Sequence, residues 1–265
     1  MKMFDNANEE IKTVAEKFCT IYFDCWKKAM ESEEGQYKYR GKKYDDVGLL
    51  KAWTDFHMKN ILYKLAEELC YLHKKEGDKK YKTHSCQECK NCTKEKGGCG
   101  YGESWQQEYY KVDLLLSNYQ GRGNWCNDFY IEHENDHFRL DKKNKIDKQG
   151  WYYEFDKLLP LNTSKDGMRV IISYDDFNFD YDRIEDKERY LLEHLNDKNS
   201  VIQESIVKRP ILVILAPSNK AINNNKENRC FHMLLFTFEN NEWKSYKDCY
   251  SNEAIKKIFD EVKNC

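Results

Sequence analysis

Apolar residues recur at helical spacing from Glu9 to Met30, where Ile11, Val14, Ala15, Phe18, Ile21, Tyr22, Cys25 and Trp26 share a stripe. The stretch from Gly35 to Gly41 interrupts that pattern. A second helix is predicted from about Asp46 to His73, with Leu49, Leu50, Trp53, Phe56, Ile61, Leu62, Leu65, Leu69 and Leu72 as its apolar positions. Asp45 or Asp46 supplies a suitable cap. Lys74 to Gly102 is polar, rich in lysine and cysteine, and without an apolar period. Beyond it the period shortens. Tyr109 to Ser117 and Phe129 to Glu134 read as strands joined by a glycine-containing turn near Gly121 to Asn124. Trp151 to Leu159 reads as a short helix stopped by Pro160. Met168 to Tyr174 and Pro210 to Ala216 are continuous apolar runs, as in strands covered on both faces. A helix is expected around Arg189 to Leu195. A hairpin follows, Phe231 to Glu239 with Trp243 to Tyr246, turning at Glu239-Asn-Asn-Glu242, and a helix from about Asn252 to Val262 ends the pattern.

Helices first, then strands alternating with helices, predict the α/β class: a mixed central sheet flanked by helices. Three parts are expected: N-terminal helices over residues 1–75, a cysteine-rich insert over 76–104, and an α/β core over 105–265. The 265 residues are 40% hydrophobic and 14% aromatic, enough for a sizeable core. Charged residues make up 34% yet the formal net charge is only -2, so any nucleic-acid binding must rest on local patches. No apolar run approaches the roughly 20 residues that span a bilayer. The first residues lack an apolar signal core. A soluble, cytoplasmic chain with no membrane partner is therefore expected, and its eleven cysteines, an odd number, are not read as a disulfide framework.

Chemistry concentrates in Asp128-Phe-Tyr-Ile-Glu-His-Glu-Asn-Asp136. In a strand, Asp128, Tyr130, Glu132 and Glu134 share one face, while Phe129, Ile131 and His133 share the other. Asp113 is available from the preceding strand. Carboxylates gathered at a sheet edge repel one another unless a cation sits among them, and Mg2+ or Mn2+ suits oxygen ligands best. Such a site points to metal-dependent phosphodiester chemistry.

The pairing of Val112-Asp-Leu-Leu-Leu with Ile131-Glu-His-Glu-Asn resembles the PD-(D/E)xK nuclease superfamily, and the similarity continues through Glu154-Phe-Asp-Lys-Leu-Leu159 and Arg169-Val-Ile-Ile-Ser-Tyr174. The resemblance implies a restriction-endonuclease-like fold and a Mg2+-dependent endonuclease acting on nucleic acid, DNA before RNA. It makes Asp113 and Glu132 the metal-binding acids, with Glu134 as a further ligand, around one or two Mg2+ ions. Glu134 falls where the superfamily usually carries lysine, so Glu134 or Lys157 would position the attacking water, with Lys157 supplying positive charge from the next helix. Glu67 or Glu68 on the preceding helix would add a carboxylate. A homodimer would suit cleavage of both strands. The competing reading is an inactive nuclease scaffold that binds nucleic acid or protein.

Two further motifs compete for metal. His133-Glu-Asn-Asp-His137 matches the HExxH pattern of zinc peptidases, with Glu154 as a third ligand. That chemistry needs a helix, whereas Phe129 to Ile131 favour a strand, in which the two histidines would lie about 13 Å apart. Cys86, Cys89, Cys92 and Cys99, with His84 just before them, have the spacing of a structural zinc site, or alternatively of an iron–sulfur cluster. Lysines around them, from Lys74 and Lys75 to Lys96, would lie along a phosphate backbone or form a solvated face. No role is assigned to His57, His73, His194, His232 or the dispersed cysteines.

Overall fold

A computed structural model describes residues 3–39, 47–74, 82–85, 112–119, 125–137, 149–175, 183–197, 206–218, 221–222 and 229–263. The four cysteines of the insert lie outside the described residues. The chain is mixed α/β. One sheet runs in sequential order: β1 (Lys82–Ser85), β2 (Leu114–Tyr119), β3 (Trp125–His137), β4 (Met168–Asp175), β5 (Ile211–Pro217), β6 (Phe231–Glu239) and β7 (Glu242–Tyr250). β3, β4 and β5 are parallel, and every other pairing is antiparallel.

Parallel neighbours require crossovers, which α5 (Gln149–Leu158) and α6 (Ile184–Asn196) provide. Both connections step in the same direction along the sheet with the same hand, so both helices cover one face. Trp151, Phe155 and Leu158 of α5 and Leu191 and Leu195 of α6 pack there on Tyr130, Ile171, Val213 and Phe236. The opposite face is covered by α1 (Glu9–Met30), α2 (Glu33–Tyr39), α3 (Val47–His57), α4 (Tyr63–Lys74) and α7 (Glu253–Lys263). Strands β4 and β5 are buried along their whole length, as their uninterrupted apolar runs require.

Helix α1 follows its stripe: Asn8 caps it by accepting from the N–H groups of Glu10 and Ile11, and Phe18 stacks on Phe129 of the sheet. Gly35 does not break the helical pattern. It lies inside α2, where a Cβ would stand 2.3 Å from the Ala29 carbonyl oxygen, so glycine lets α2 fold back against the end of α1. The second predicted helix contains a π turn, Met58–Leu62, between α3 and α4. Buried residues 53, 57, 61, 65 and 69 are spaced by four, which drifts about 40° per step on a 3.6-residue helix; the wider turn takes up part of that drift. Helix α6 starts earlier than expected, because Glu185 and Asp186 favour its first turn and Asp186 pairs with Arg183 and Arg189.

Buried charge also shapes the crossovers. Arg169, fully buried on β4, donates to the carbonyls of Leu158 and Leu159 at the end of α5 and to those of Val207 and Arg209. It thus satisfies acceptors that the helix end leaves open. Lys187 and Asp175 form an ion pair with no solvent exposure, tying α6 to the end of β4. Asn240 and Asn241 adopt positive φ (52° and 65°), as a tight hairpin turn needs. Among the described residues no helix is long and apolar enough to cross a membrane.

Candidate functional site: carboxylates and a lysine between β2, β3 and α5

The side-chain alternation of β3 is as the sequence predicts: Phe129 and Ile131 point into the layer of α1 to α4, and Tyr130 into the layer of α5 and α6. Glu132 follows Tyr130 and is only 4% exposed. Asp113 immediately precedes β2, one step beyond the Leu114–Ile131 register pair. Its carboxylate oxygen accepts from the His133 backbone N–H at 2.7 Å, extending the sheet's hydrogen bonding past the end of the strand. Helix α5 then brings Lys157 Nζ to 2.7 Å from Glu132 Oε1 and into an ion pair with Glu154. Asp113, Glu132, Glu154 and Lys157 therefore form one cluster.

Its electrostatics are unbalanced, with three carboxyls around one ammonium. Burial raises the Asp113 carboxyl above its ordinary value, opposed by the His133 N–H and Lys157. Burial, reinforced by the Asp113 charge, pushes Glu132 well above the ordinary glutamate value, and Lys157 only partly offsets this. For Lys157, burial works against the charged form, yet Glu132 and Glu154 hold it above the ordinary lysine value. The ammonium stays charged, while the acids retain a proton or need a further cation.

Glu134 lies two residues further along the same face, half-buried, where the β3–β4 register shifts between His133 and His137. Glu67 and Glu68 are not brought to this cluster. They lie on α4, in the layer on the opposite side of the sheet; both are exposed, and Glu67 pairs with Lys64 at 2.8 Å. The segment of the peptidase pattern has the extended conformation that its apolar residues favour. Residues 133–137 are strand, and His133 points away from Glu154, into the other layer. There its ring stacks on His57 at 3.7 Å, and its Nε2 lies 3.0 Å from the Tyr174 hydroxyl. Trp53 donates to Tyr174 at 2.6 Å, and Tyr22 meets His57 at 3.3 Å. Burial holds both imidazoles neutral, lowering His133 to about 3 and His57 well below its ordinary value. His57, to which the sequence assigned nothing, thus joins the helical layer to β3.

A second group escaped the sequence reading. Among the described residues, Cys230, His232 and Cys249 are the three His, Cys, Asp or Glu side chains whose ligand atoms all lie within 4.8 Å of one another, so they could hold a metal ion. The signal was legible in the hairpin. A turn centred on Asn240 and Asn241 sets His232 opposite Cys249, and the Cys-x-His spacing puts Cys230 on the same face as His232. In comparison with protein-family models, curated proteins and solved structures, nothing matches the chain, so the reading of both groups rests on their own chemistry.

Proposed function

We propose that the chain is a divalent-metal-dependent phosphodiester hydrolase acting on nucleic acid, DNA before RNA, with Asp113, Glu132 and Lys157 at its centre. The observation that carries this reading is the meeting of an acid immediately before β2 and one on β3 with an ammonium from the crossover helix. Their resemblance to the PD-(D/E)xK arrangement agrees with it. Three carboxyls and one lysine leave an excess of two negative charges, an amount that a single Mg2+ or Mn2+ neutralises.

Asp113 and Glu132, whose carboxyls burial raises above their ordinary values, would ionise to hold the ion. When bound, the metal supplies an acidified water and neutralises phosphoryl oxygen charge. Lys157, charged across the physiological range, donates toward the phosphate where negative charge develops. Glu154 keeps the Lys157 ammonium on the site side of α5. Glu134, further out on the same face, is placed to orient the attacking water.

Incubation of supercoiled plasmid and labelled single strands with the protein, in Mg2+ and then Mn2+, tests the proposal. Cleavage is expected to vanish in Asp113→Ala and Glu132→Ala, and to fall by about 100-fold or more in Lys157→Met. Cleavage that survives both acid substitutions would overturn the site. Tight binding with no cleavage under either metal would leave the inactive scaffold as the better account.

A further inference from the structure

We propose that Cys230, His232 and Cys249 bind one zinc ion as three protein ligands, with a fourth coordination position open to water or an external donor. The site lies on the α6 face of the β6–β7 hairpin, at the end away from its turn. Its ligands come from one strand pair whose register is set by the hairpin and not by the metal. Two sulfurs and an imidazole are soft to borderline donors, the set that selects zinc over Mg2+.

The dimensions agree. Zinc bonds of about 2.3 Å to sulfur and about 2.0 Å to nitrogen, at a tetrahedral angle, put those two atoms about 3.5 Å apart. Cys230 Sγ and His232 Nε2 are 3.3 Å apart, and all three ligand atoms fall within 4.8 Å of one another. Two thiolates balance the ion's charge, and the two displaced thiol protons leave to solvent. Cys249 is exposed, His232 half-buried and Cys230 buried, which gives the ion a way in and a fixed wall behind it. Among the described residues no fourth His, Cys, Asp or Glu atom joins the group, hence the open position.

A disulfide is the competing fate of the two thiols, and the pairing disfavours it. Cys249 faces His232, so Cys230 lies diagonally across the ladder, where Cα separations are about 7–8 Å. Disulfides need Cα atoms closer than about 6.8 Å. Neither cysteine is in a disulfide here.

The test is metal content of the purified full chain after zinc loading and removal of excess, read by mass spectrometry against Cys249→Ser and His232→Gln. Each variant is expected to hold one zinc equivalent fewer than the parent, whatever the cysteine-rich insert contributes. The same difference is expected in an Asp113→Ala background, which separates this site from the proposed nuclease centre. Cobalt loading should show a thiolate charge-transfer band that weakens in Cys249→Ser. A folded variant with the parent's zinc content overturns the site. So does recovery of Cys230 and Cys249 as a disulfide from the metal-loaded chain. Should Cys249→Ser fail to fold, His232→Gln carries the comparison.

Discussion

Glu132→Gln should make the protein's stability respond to pH in a way that reveals the charge excess between β2, β3 and α5. Glu132 is buried beside Asp113, and its native carboxyl titrates well above the ordinary value of 4.5. Between those two values the native state keeps a proton that the unfolded chain has released. Stability therefore falls as pH rises through this window, by up to about 1.4 kcal/mol per pH unit. Below the unfolded value both states are protonated and the penalty is absent. Three histidines act in the opposite sense. His57, His133 and His232 are all held below the ordinary 6.5, so the unfolded chain takes up protons that the native state refuses, and stability rises with pH up to that value. The parent curve is a sum of these slopes, and only the difference between Glu132→Gln and parent isolates the carboxyl. Urea unfolding followed by tryptophan fluorescence, at unit steps between about pH 5 and 8, supplies that difference. The glutamine variant should gain on the parent as pH rises until the native carboxyl ionises, and Mg2+ should cancel the gain by stabilising only the parent. A difference that does not change with pH would refute a buried, protonated Glu132. A pH-dependent difference that Mg2+ leaves untouched would refute its role as a metal ligand.

Lys187→Met should destabilise the protein by about 3–5 kcal/mol in the same unfolding assay, because it removes the ammonium that pairs with the fully buried Asp175. The double variant Asp175→Leu/Lys187→Met should recover most of that loss; no recovery would mean the pair contributes through its shape alone. Gly167→Ala should cost about 3 kcal/mol or more, since its Cβ would stand 1.9 Å from the Asp128 carbonyl oxygen and that neighbour is backbone. An alanine variant with the parent's urea midpoint would show that the 164–167 turn shifts freely.

Much of the fold is written in local pattern. The stripe of α1, the helical stretch from Val47 to Lys74, the fully covered β4 and β5, and the Asn240–Asn241 hairpin follow from periodicity and turn chemistry, which each segment carries by itself. The alternation along β3 likewise puts Glu132 and His133 on opposite faces before any partner is known. Boundaries were less legible where tertiary contacts set them. Asp113, inside the predicted strand, stands just before β2 and replaces a ladder bond with its carboxylate. The π turn follows from which residues the sheet must bury. Helix α6 begins within an acidic run that reads as loop until its ion pairs are seen.

What residue order determined alone was the class of fold, the faces of its strands, and the acids at Asp113 and Glu132 that face one side. Only the packed chain decided which distant groups share a dielectric environment. It set Lys157 against Glu132, sent Glu67 and Glu68 to the far layer, and stacked His57 on His133. The reason is range: propensity and periodicity act over a few residues, whereas charge balance and metal ligation depend on separations of a few ångströms, which crossovers and register alone establish.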